Sequence, residues 1–214
     1  MLASQFLHGE RAARSACEAL LPLLPDGALR LALATQITDE ARHCEAYERY
    51  LARLGDISPR RTLLADAFSR IADWKGPAGG LVLATHVVLE SEALAIQQDL
   101  VRDFPCPILQ RICQLAGRDE SRHLALGRIL LKAADLAARP IDERLALHHA
   151  LHRLWQDCAQ AVVEDHGVIL WRAVPRSRLD AGWRRLQVTF RRVGLIGHGE
   201  ARAFGAAEAA VPAG

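Results

Sequence analysis

The stretch Asp39-Glu40-Ala41-Arg42-His43 recurs 80 residues later as Asp119-Glu120-Ser121-Arg122-His123, with only its third position changed. The repeat extends upstream, because a glutamate lies 30 residues before the Glu of each copy, at Glu10 and Glu90. Outside these positions the two halves of the chain share little identity. One translation along the sequence therefore relates two sets of residues, each with two glutamates and one histidine.

The spacing within the repeat predicts a site for two metal ions inside a bundle of four helices. Residues i and i+3 lie on one helix face, so Glu40 points with His43, and Glu120 points with His123. Two helices with Glu-x-x-His, together with single glutamates from two further helices, form the ligand arrangement of two-metal helical bundles. The single glutamates either bridge the two ions or close the coordination of one ion. The predicted metal ligands are Glu10, Glu40, His43, Glu90, Glu120 and His123.

The chemistry of these six side chains favours iron or manganese. Four carboxylates and two imidazoles form an oxygen-rich set without thiolate, whereas structural zinc sites prefer Cys and His in tetrahedral sets. Buried glutamates are costly unless their charge is compensated, and metal coordination compensates it. A single Glu-x-x-His would be expected by chance as a surface pair in a chain with nine histidines. Two copies in register, each with its upstream glutamate, are not expected by chance.

Composition favours one all-α domain over residues 1–214. Half of the residues are hydrophobic and only 5% are aromatic, and the abundant Ala and Leu favour helix over sheet. The net charge of +2 predicts neither a nucleic-acid nor a membrane partner, and we expect no apolar run long enough to span a membrane. Five cysteines without paired spacing and the lack of a signal peptide indicate a reducing compartment, so we expect a cytoplasmic protein.

Proline and glycine positions divide the chain into a metal-binding bundle over about residues 4–138, accessory helices over about 141–193 and a loose tail over 194–214. The bundle consists of two pseudo-repeated helix hairpins, one on each side of the segment Lys75–Gly80. A short helix lies in the crossover that joins them. The predicted helices span about residues 4–24, 26–54, 59–74, 81–103, 107–138, 141–174 and 177–193.

Small residues lie about one helical turn from several predicted ligands, at Ala13, Ala93, Ala116 and Gly117. Small side chains beside a metal either let helices approach closely or leave room for a substrate, and close packing is the commoner reason. The sequence leaves both interpretations open. These four positions are the candidate substrate pocket.

The repeated residues also carry a resemblance to a known family. They resemble the ferritin-like carboxylate-bridged di-iron proteins, and most nearly the ligand-binding oxidases related to the ribonucleotide reductase small subunit, over about residues 4–134. The resemblance implies a ferritin-like four-helix bundle with extra C-terminal helices. It also implies two iron ions, or one manganese and one iron, that activate dioxygen. The segments that carry it are Phe6-Leu7-x-Gly9-Glu10, Thr35-Gln36-x-x-x-Glu40-x-x-His43, Val88-Leu89-Glu90-Ser91 and Asp119-Glu120-x-Arg122-His123-x-Ala125-x-Gly127.

The resemblance further implies roles for residues around the ligands. In such proteins the Asp beside a ligand Glu supports a histidine across the site, which here pairs Asp119 with His43 and Asp39 with His123 and fixes each imidazole tautomer. Tyr47 matches the place of the reductase radical tyrosine and is the candidate catalytic residue. Packing in the core is the alternative role for this tyrosine.

The chain departs from each branch of the family. The tyrosine–valine crosslink of the oxidases has no counterpart, because Thr85 and Ala12 occupy the matching places. Ala116 occupies the place of the extra histidine found in the N-oxygenases of aromatic amines. A radical-transfer tail is not recognisable, so we do not expect reductase activity.

We therefore expect an oxidoreductase that uses dioxygen to oxidise a small organic substrate by hydroxylation, N-oxygenation, desaturation or C–C cleavage. Electrons would come from an external ferredoxin or flavin reductase, because the chain has no Gly-rich cofactor-binding motif. We also expect a homodimer. Two alternatives are a ferroxidase or iron-storage protein and a non-catalytic helical module. The helices after residue 140 speak against storage, and the intact ligand set speaks against the module.

Other polar residues are less specific. Glu92 competes with Glu90 as a ligand, but its partner under the translation is Ala12, which favours Glu90. His148 and His152 have the i, i+4 spacing of a metal-binding pair, although a surface position is the expected reading. The basic segment Trp183–Arg192 either meets an acidic redox partner or is a solvated face.

Overall fold

The computed structural model describes residues 2–169 and 176–209, and the side chains of residues 2–161 and 179–205. Within these ranges the protein is 82% helical and contains no strand. The predicted all-α class is confirmed. The expected helix ends near residues 174 and 177 lie at or beyond the edges of the described residues.

Eight helices follow one another through short connections in the described part of the chain. Two short 3₁₀ turns, Leu21–Leu23 and Leu136–Ala138, lie within the connections. Gly27 has a φ of 138°, a conformation that side chains rarely adopt, and it sets the turn into the second helix. The helices are α1 (Leu2–Leu20), α2 (Ala28–Leu51), α3 (Thr62–Ala72), α4 (Ala78–Asp103), α5 (Pro107–Ala133), α6 (Ile141–Ile169), α7 (Arg176–Arg192) and α8 (Ala201–Ala209).

Helix α4 is irregular at its centre. Its first turn, Ala78–Val82, and its second half, Glu90–Asp103, are α-helical, but Leu83–Leu89 is a π-helix. The backbone N–H of Glu90 accordingly bonds to the carbonyl of Thr85, five residues earlier. Such a wide turn changes the rotation of all residues that follow it, and π segments are frequent at functional sites. The segment therefore sets the direction in which Glu90 points.

Helix α4 is also long and apolar enough to cross a membrane, with a mean hydropathy of 1.4 over its most apolar window, and within the described residues it alone meets this criterion. The expectation that no apolar run reaches this length is therefore wrong. Of that window, 67% is buried inside the protein. A core helix surrounded by other helices needs apolar residues on all sides, so it meets the same test of composition.

Four helices pack around a common interior. Helix α1 packs on α2, α4 packs on α5, and the two hairpins meet through α2 with α5 and through α1 with α4. Helix α3 crosses between the hairpins and packs on α1 and α6, while α8 packs on α6. Two apolar clusters fill this interior, one containing Cys17, Leu33 and Leu130 and the other containing Tyr47 and Leu100. On each of the four helices the predicted ligands lie between residues of the two clusters.

The expectation of a loose tail after residue 193 is wrong as far as residue 205. Leu195, Ile196 and Phe204 are buried in the main apolar cluster. The guanidinium of the buried Arg144 binds Glu200 through two contacts of 2.6 and 2.7 Å. These few apolar and charged residues anchor a segment whose average composition, rich in Gly and Ala, suggests looseness. Residues 210–214 of the expected tail lie outside the described residues.

Candidate metal centre

The six predicted metal ligands converge in the interior of the four helices. Glu10 comes from α1, Glu90 from α4, and the two Glu-x-x-His pairs come from α2 and α5. Each of the six residues is at most 5% exposed. Carboxylates and imidazoles thus interrupt the buried apolar face of each helix at the same height in the bundle. Burying such groups is costly unless their charges compensate one another or hold a cation.

The six residues form two overlapping groups of four. Within each group, one ligand atom per residue lies within 4.8 Å of every other. The first group, called the Glu10 set, is Glu10, Glu40, His43 and Glu120, and the second, called the Glu90 set, is Glu40, Glu90, Glu120 and His123. Glu40 and Glu120 belong to both sets. The sequence leaves open whether Glu10 and Glu90 bridge the two ions or each complete the coordination of one ion. The geometry favours the second role, because the carboxylates common to both sets come from α2 and α5.

The two imidazoles have the same orientation in the two halves. The Nδ1 atom of His43 lies 3.2 Å from Glu10 Oε2, and the Nδ1 atom of His123 lies 3.1 Å from Glu40 Oε1. The Nε2 atoms point away from the cluster, that of His43 to Asp119 at 3.1 Å and that of His123 to Asp39 at 3.4 Å. These crossed pairs are the ones that the family resemblance implies. An Nε2–H that donates to aspartate leaves Nδ1 able to bind a metal.

The arginine of each motif completes a ring of charges outside the histidines. Arg42 contacts Asp39 at 2.6 Å and Asp119 at 2.7 Å. Arg122 contacts Asp119 at 2.5 Å and Asp39 at 3.4 Å. Burial opposes ionisation of Asp119, but the hydrogen bonds from His43 and Arg122 outweigh it and lower the pKa of this carboxyl. No role was predicted for the two arginines, although their presence in both copies of the repeat was the available signal.

Without a bound cation, protons compensate the negative charge of the cluster. Burial lowers the pKa of an imidazole, but hydrogen bonds to Glu10 and Glu40 outweigh this and raise the pKa of His43 to about 12. By the same balance, bonds to Glu120 and Glu40 raise the pKa of His123 to about 11.

Among the carboxyls, burial raises the pKa values of Glu10, Glu90 and Glu120, and the repulsion between neighbouring glutamates adds to this effect. Burial alone would raise the pKa of Glu40 as well. Hydrogen bonds from His123 and His43 instead lower it. The protonated imidazoles of His43 and His123 therefore lie beside the closely spaced carboxyl groups.

Two carboxylate oxygens in the cluster show where a cation fits. Glu90 Oε2 is buried without a hydrogen-bond partner. Glu40 Oε2 is also buried, and its contact with His43 Nδ1 is long, at 3.5 Å. A buried acceptor without a partner costs about 1–3 kcal/mol. Since each set offers three carboxylates and one imidazole, the residues fit two divalent ions that prefer oxygen ligands.

A polar chain that the sequence analysis did not identify continues from the Glu90 set. The Nε2 atom of Gln36 donates to Glu90 Oε1 at 2.7 Å and to Glu40 Oε1 at 3.3 Å. Its Oε1 atom lies 3.0 Å from His86 Nε2. Burial lowers the pKa of His86 to about 4, so this imidazole is neutral at pH 7 and its Nε2–H donates to the amide oxygen. The amide oxygen of Gln36 therefore accepts from His86, and its amide nitrogen donates to the carboxylates. All hydrogen bonds in this polar chain run from His86 toward Glu90 and Glu40.

Tyr47, the candidate catalytic residue, lies fully buried in the smaller apolar cluster. Its ring stacks on Phe6 at a centroid distance of 5.5 Å and an interplanar angle of 8°. Its hydroxyl lies 3.8 Å from the sulfur of Cys113. Burial raises the pKa of Tyr47, so the phenol stays protonated. These contacts are those of a packing residue, and the redox role stays a prediction.

A small cavity of about 30 Å³ lies against the carboxylates between α1 and α4. Ala13 and Ala93 line it, as the candidate substrate pocket requires, but Ala116 and Gly117 are not in its wall. A Cβ atom at Gly117 would lie 3.2 Å from Leu94 and 3.3 Å from Gln97, so this glycine permits the close approach of α4 and α5. Ala116 and Gly117 therefore do not line this cavity, and their assignment to a substrate pocket stays a prediction. The lining of this cavity is Phe6, Gly9, Glu10, Ala13, Leu89, Glu90, Ala93 and Glu120.

A second cavity of about 70 Å³ adjoins the first on the side of α3 and α6. Four residues belong to the walls of both, namely Phe6, Gly9, Leu89 and Ala93. Glu92, the alternative to Glu90, lines this outer cavity and accepts a hydrogen bond of 3.2 Å from Trp155 Nε1. It is in neither ligand set. The two cavities form an apolar route toward the carboxylates of α1 and α4.

The histidines of α6 are not on the surface, so that expectation is wrong. His148 is fully buried and His152 is 8% exposed. The imidazole of His152 lies 4.4 Å from the Trp183 ring, and that of His148 lies 5.0 Å from the Phe204 ring. These residues join α6 to α7 and α8 as an aromatic cluster. The arginines of the basic segment on α7 are exposed, as expected for a solvated face.

The site is thus a buried cluster of four glutamates and two histidines, held in orientation by two aspartates and two arginines. Its helices bring together residues that are up to 113 positions apart in the chain, from Glu10 to His123. Comparisons with protein-family models, with curated proteins and with solved structures gave no match for this chain.

Proposed function

We propose that the protein is a ferritin-like dinuclear-metal oxidoreductase that uses dioxygen to oxidise a small organic substrate. The observation that carries the proposal is the pair of overlapping ligand sets, which share Glu40 and Glu120. Two positions with common carboxylates hold two ions close together, as required for a reaction that takes electrons from both. The packing of α1, α2, α4 and α5 in two facing hairpins supports the ferritin-like part of the proposal.

The residues fit two iron ions, or one manganese and one iron. When bound, such a pair supplies the electrons that reduce dioxygen. The protein's own contribution is to hold the ligands at fixed positions before any reaction occurs. Asp39 and Asp119 accept the Nε2–H of the two imidazoles, and Arg42 and Arg122 hold those aspartates across the halves. Outer contacts of this kind orient the ligands and commonly change metal affinity 10- to 100-fold, to order of magnitude.

The interior of the bundle leaves little room for water beside the reacting groups. The cavity beside Glu10 and Glu90 has a volume of about 30 Å³, close to the share of one water molecule in the liquid. Its other walls are apolar or small, at Phe6, Leu89 and the two alanines. A substrate group approaches through the outer cavity and reaches the carboxylates at Ala13 and Ala93. A dry enclosure of this kind limits side reactions of oxidising species.

Several further properties belong to the same proposal. An external ferredoxin or flavin reductase supplies the electrons, since the chain carries no Gly-rich cofactor motif. A cytoplasmic location agrees with the five cysteines, all of which are free thiols. A homodimer is proposed as the state in solution.

The test is anaerobic loading with ferrous iron, followed by metal analysis and a pulse of dioxygen. We expect two iron ions per chain, consumption of dioxygen and a change in absorption as iron is oxidised. Mass spectrometry of co-purified small molecules, before and after the pulse, identifies the substrate. Binding of a single ion, or two ions that do not react with dioxygen, would contradict the proposal.

Access to the site is tested by the variant Ala93→Leu, which fills both cavities at their common wall. We expect it to keep two metal ions and to slow substrate oxidation. Ala95→Leu is the matched control, because Ala95 lies on the same helix but in neither cavity wall. Equal rates in the two variants would show that the substrate does not enter by this route.

A ferroxidase or iron-storage function is the second candidate. One observation favours it, because a cavity of about 30 Å³ admits dioxygen more readily than an organic molecule. Storage requires a hollow assembly, so electron microscopy after incubation with excess ferrous iron and air separates the two. A shell that encloses a mineral core would replace the oxidase proposal by storage.

A further inference from the structure

A third cavity lies between α3 and α6, and none of the predicted metal ligands is in its wall. Its volume is about 610 Å³, within the range of about 300–1,000 Å³ typical of small-molecule sites. It shares no wall residue with the two cavities beside the carboxylates. We call it the α3–α6 cavity. Its wall is Ser69, Arg70, Ile71, Asp73, Trp74, Lys75, Gly76, Pro77, Arg139, Glu143, Ala146, Leu147, Ala150, Arg153 and Leu154.

The floor of the α3–α6 cavity belongs to the main core of the protein. Ile71 of α3 and both Leu147 and Leu154 of α6 are buried members of the large apolar cluster. Trp74 packs against the same cluster and is only partly buried, so one part of its ring is available to a ligand. Aromatic and aliphatic walls of this kind supply most of the affinity of small-molecule sites.

The Trp74 ring is held in place by the segment Lys75–Gly80. Its Nε1–H donates to the carbonyl of Pro77 at 3.0 Å. A Cβ atom at Gly80 would lie 2.4 Å from Cζ2 of the ring, and one at Gly76 would lie 3.0 Å from Cε2 and Nε1 of the same ring. A side chain at position 80 would therefore displace the indole, and one at position 76 would press against it. The segment that breaks the chain between the two hairpins therefore also builds a rigid aromatic wall.

The rim of the α3–α6 cavity carries an excess of positive charge. Its cations are Arg70, Lys75, Arg139 and Arg153, and its carboxylates are Asp73 and Glu143. Arg139 pairs with Glu143 at 2.9 Å, and Arg70 pairs at 2.6 Å with Asp157, which lies outside the wall. The excess therefore comes from Lys75 and Arg153, which face the single remaining rim carboxylate, Asp73. Lys75 and Arg153 are exposed on the rim. A cleft with cations around apolar walls concentrates the field and attracts anions.

We propose that the α3–α6 cavity binds an organic anion, in which an apolar body packs on Trp74 and the core residues and an acidic group lies among the rim cations. The ligand class follows from the two parts of the wall, one apolar and rigid, the other basic. Binding at this cavity is independent of the metal centre and does not rest on the function proposed above.

Two fluorescent probes test the proposal on the full-length protein. The anionic probe is 8-anilinonaphthalene-1-sulfonate, and N-phenyl-1-naphthylamine is its uncharged relative with the same ring system. We expect saturable binding of one sulfonate per chain with quenching of Trp74, and weaker binding of the uncharged probe. The variant Trp74→Phe identifies the indole that is quenched. Failure to saturate at one probe per chain, or equal affinity for the two probes, would overturn the proposal.

Substitutions on the rim and on the floor separate the two parts of the site. The double variant Lys75→Glu/Arg153→Glu should weaken binding of the sulfonate about tenfold and leave the uncharged probe unaffected, as expected for two exposed charge contacts. Arg128→Glu is the matched control, since Arg128 is exposed on α5 and outside the cavity wall. Ala150→Trp should abolish binding of both probes by filling the cavity. Unchanged binding in Ala150→Trp, with the helical circular dichroism retained, would place the probe elsewhere and refute the assignment.

Discussion

The two halves of the glutamate–histidine cluster carry the same predicted ligands in different surroundings. Under the 80-residue translation Phe6 corresponds to His86, and Tyr47 corresponds to Gly127. In the first half Phe6 stacks on Tyr47 at 5.5 Å. In the second half His86 lies so close to Gly127 that a Cβ atom at Gly127 would be 2.4 Å from the Cβ atom of His86. Equivalent positions are therefore in contact in both halves. In the first half the contact joins two aromatic rings, and in the second it joins the His86 side chain to the backbone of Gly127.

This difference makes the two predicted metal positions chemically unequal. The Glu10 set adjoins an apolar aromatic pair, whereas Glu90 accepts a hydrogen bond from Gln36, which in turn accepts one from the neutral His86. The partner of Gln36 under the translation is Ala116, which has no polar side chain. Groups around the ligands tune metal affinity and redox potential. The chain thus repeats its ligands and varies their neighbours.

The largest expected effect comes from the shared carboxylates. Glu120→Ala removes a ligand from both sets and should abolish binding of both metals, whereas Glu10→Ala removes a ligand from one set and should leave one metal bound. Metal content after dialysis, measured by mass spectrometry, gives the number of ions per chain. One ion retained in Glu120→Ala and none in Glu10→Ala would reverse the assignment of shared and single ligands.

The next effect concerns the contact at Gly127. Gly127→Ala gains up to about 1 kcal/mol in helix propensity, but overpacking against the Cβ atom of His86 costs about 1–3 kcal/mol, and we expect net destabilisation. Urea unfolding of the metal-loaded protein measures the change. Gly205→Ala is the control, because a Cβ atom there would meet no atom within 4 Å, and it should be neutral or stabilising. Equal stability of the two variants would mean that α4 and α5 are not held at this distance.

A smaller effect is expected when Gln36 is replaced by alanine, the residue at the equivalent position 116. Gln36→Ala leaves His86 Nε2 and Glu90 Oε1 without their present partners, at a cost of about 1–2 kcal/mol. Titration with Mn²⁺ should show weaker binding of one ion and little change for the other. Ala116→Ser, at the position that the 80-residue translation pairs with Gln36, is the comparison variant. Loss of affinity at both positions in Gln36→Ala would remove the distinction between the halves.

The smallest effect is expected at Tyr47. Tyr47→Phe removes only a hydroxyl that lies 3.8 Å from Cys113 Sγ and keeps the stack on Phe6, so stability should change by less than about 1 kcal/mol. Metal content should be unchanged. Electron paramagnetic resonance after exposure of the reduced protein to dioxygen decides the catalytic role. A tyrosyl radical in the wild-type protein that is lost in Tyr47→Phe would make this tyrosine redox active.

The ligand positions could be predicted because they repeat along the chain, and the helical spacing of Glu40 and His43 alone places them on one face. Which carboxylates are shared could not be predicted, because that depends on how α2 and α5 face each other. The roles of Gly117 and Gly127 also needed the structure, since a glycine that permits helix contact and one that leaves a pocket look alike in sequence. Phe204 and Glu200 show a further limit, because a few anchoring residues order a segment whose average composition suggests disorder.

The crossed contacts of the aspartates make each hairpin depend on the other. His43 is oriented by Asp119 and His123 by Asp39, so the residue that positions each imidazole lies on the opposite hairpin. A single hairpin would therefore hold its histidine without support. Two copies of one hairpin, related by a twofold axis, would meet every one of these contacts. The two crossed contacts are thus of the kind that a twofold axis would generate between two identical hairpins.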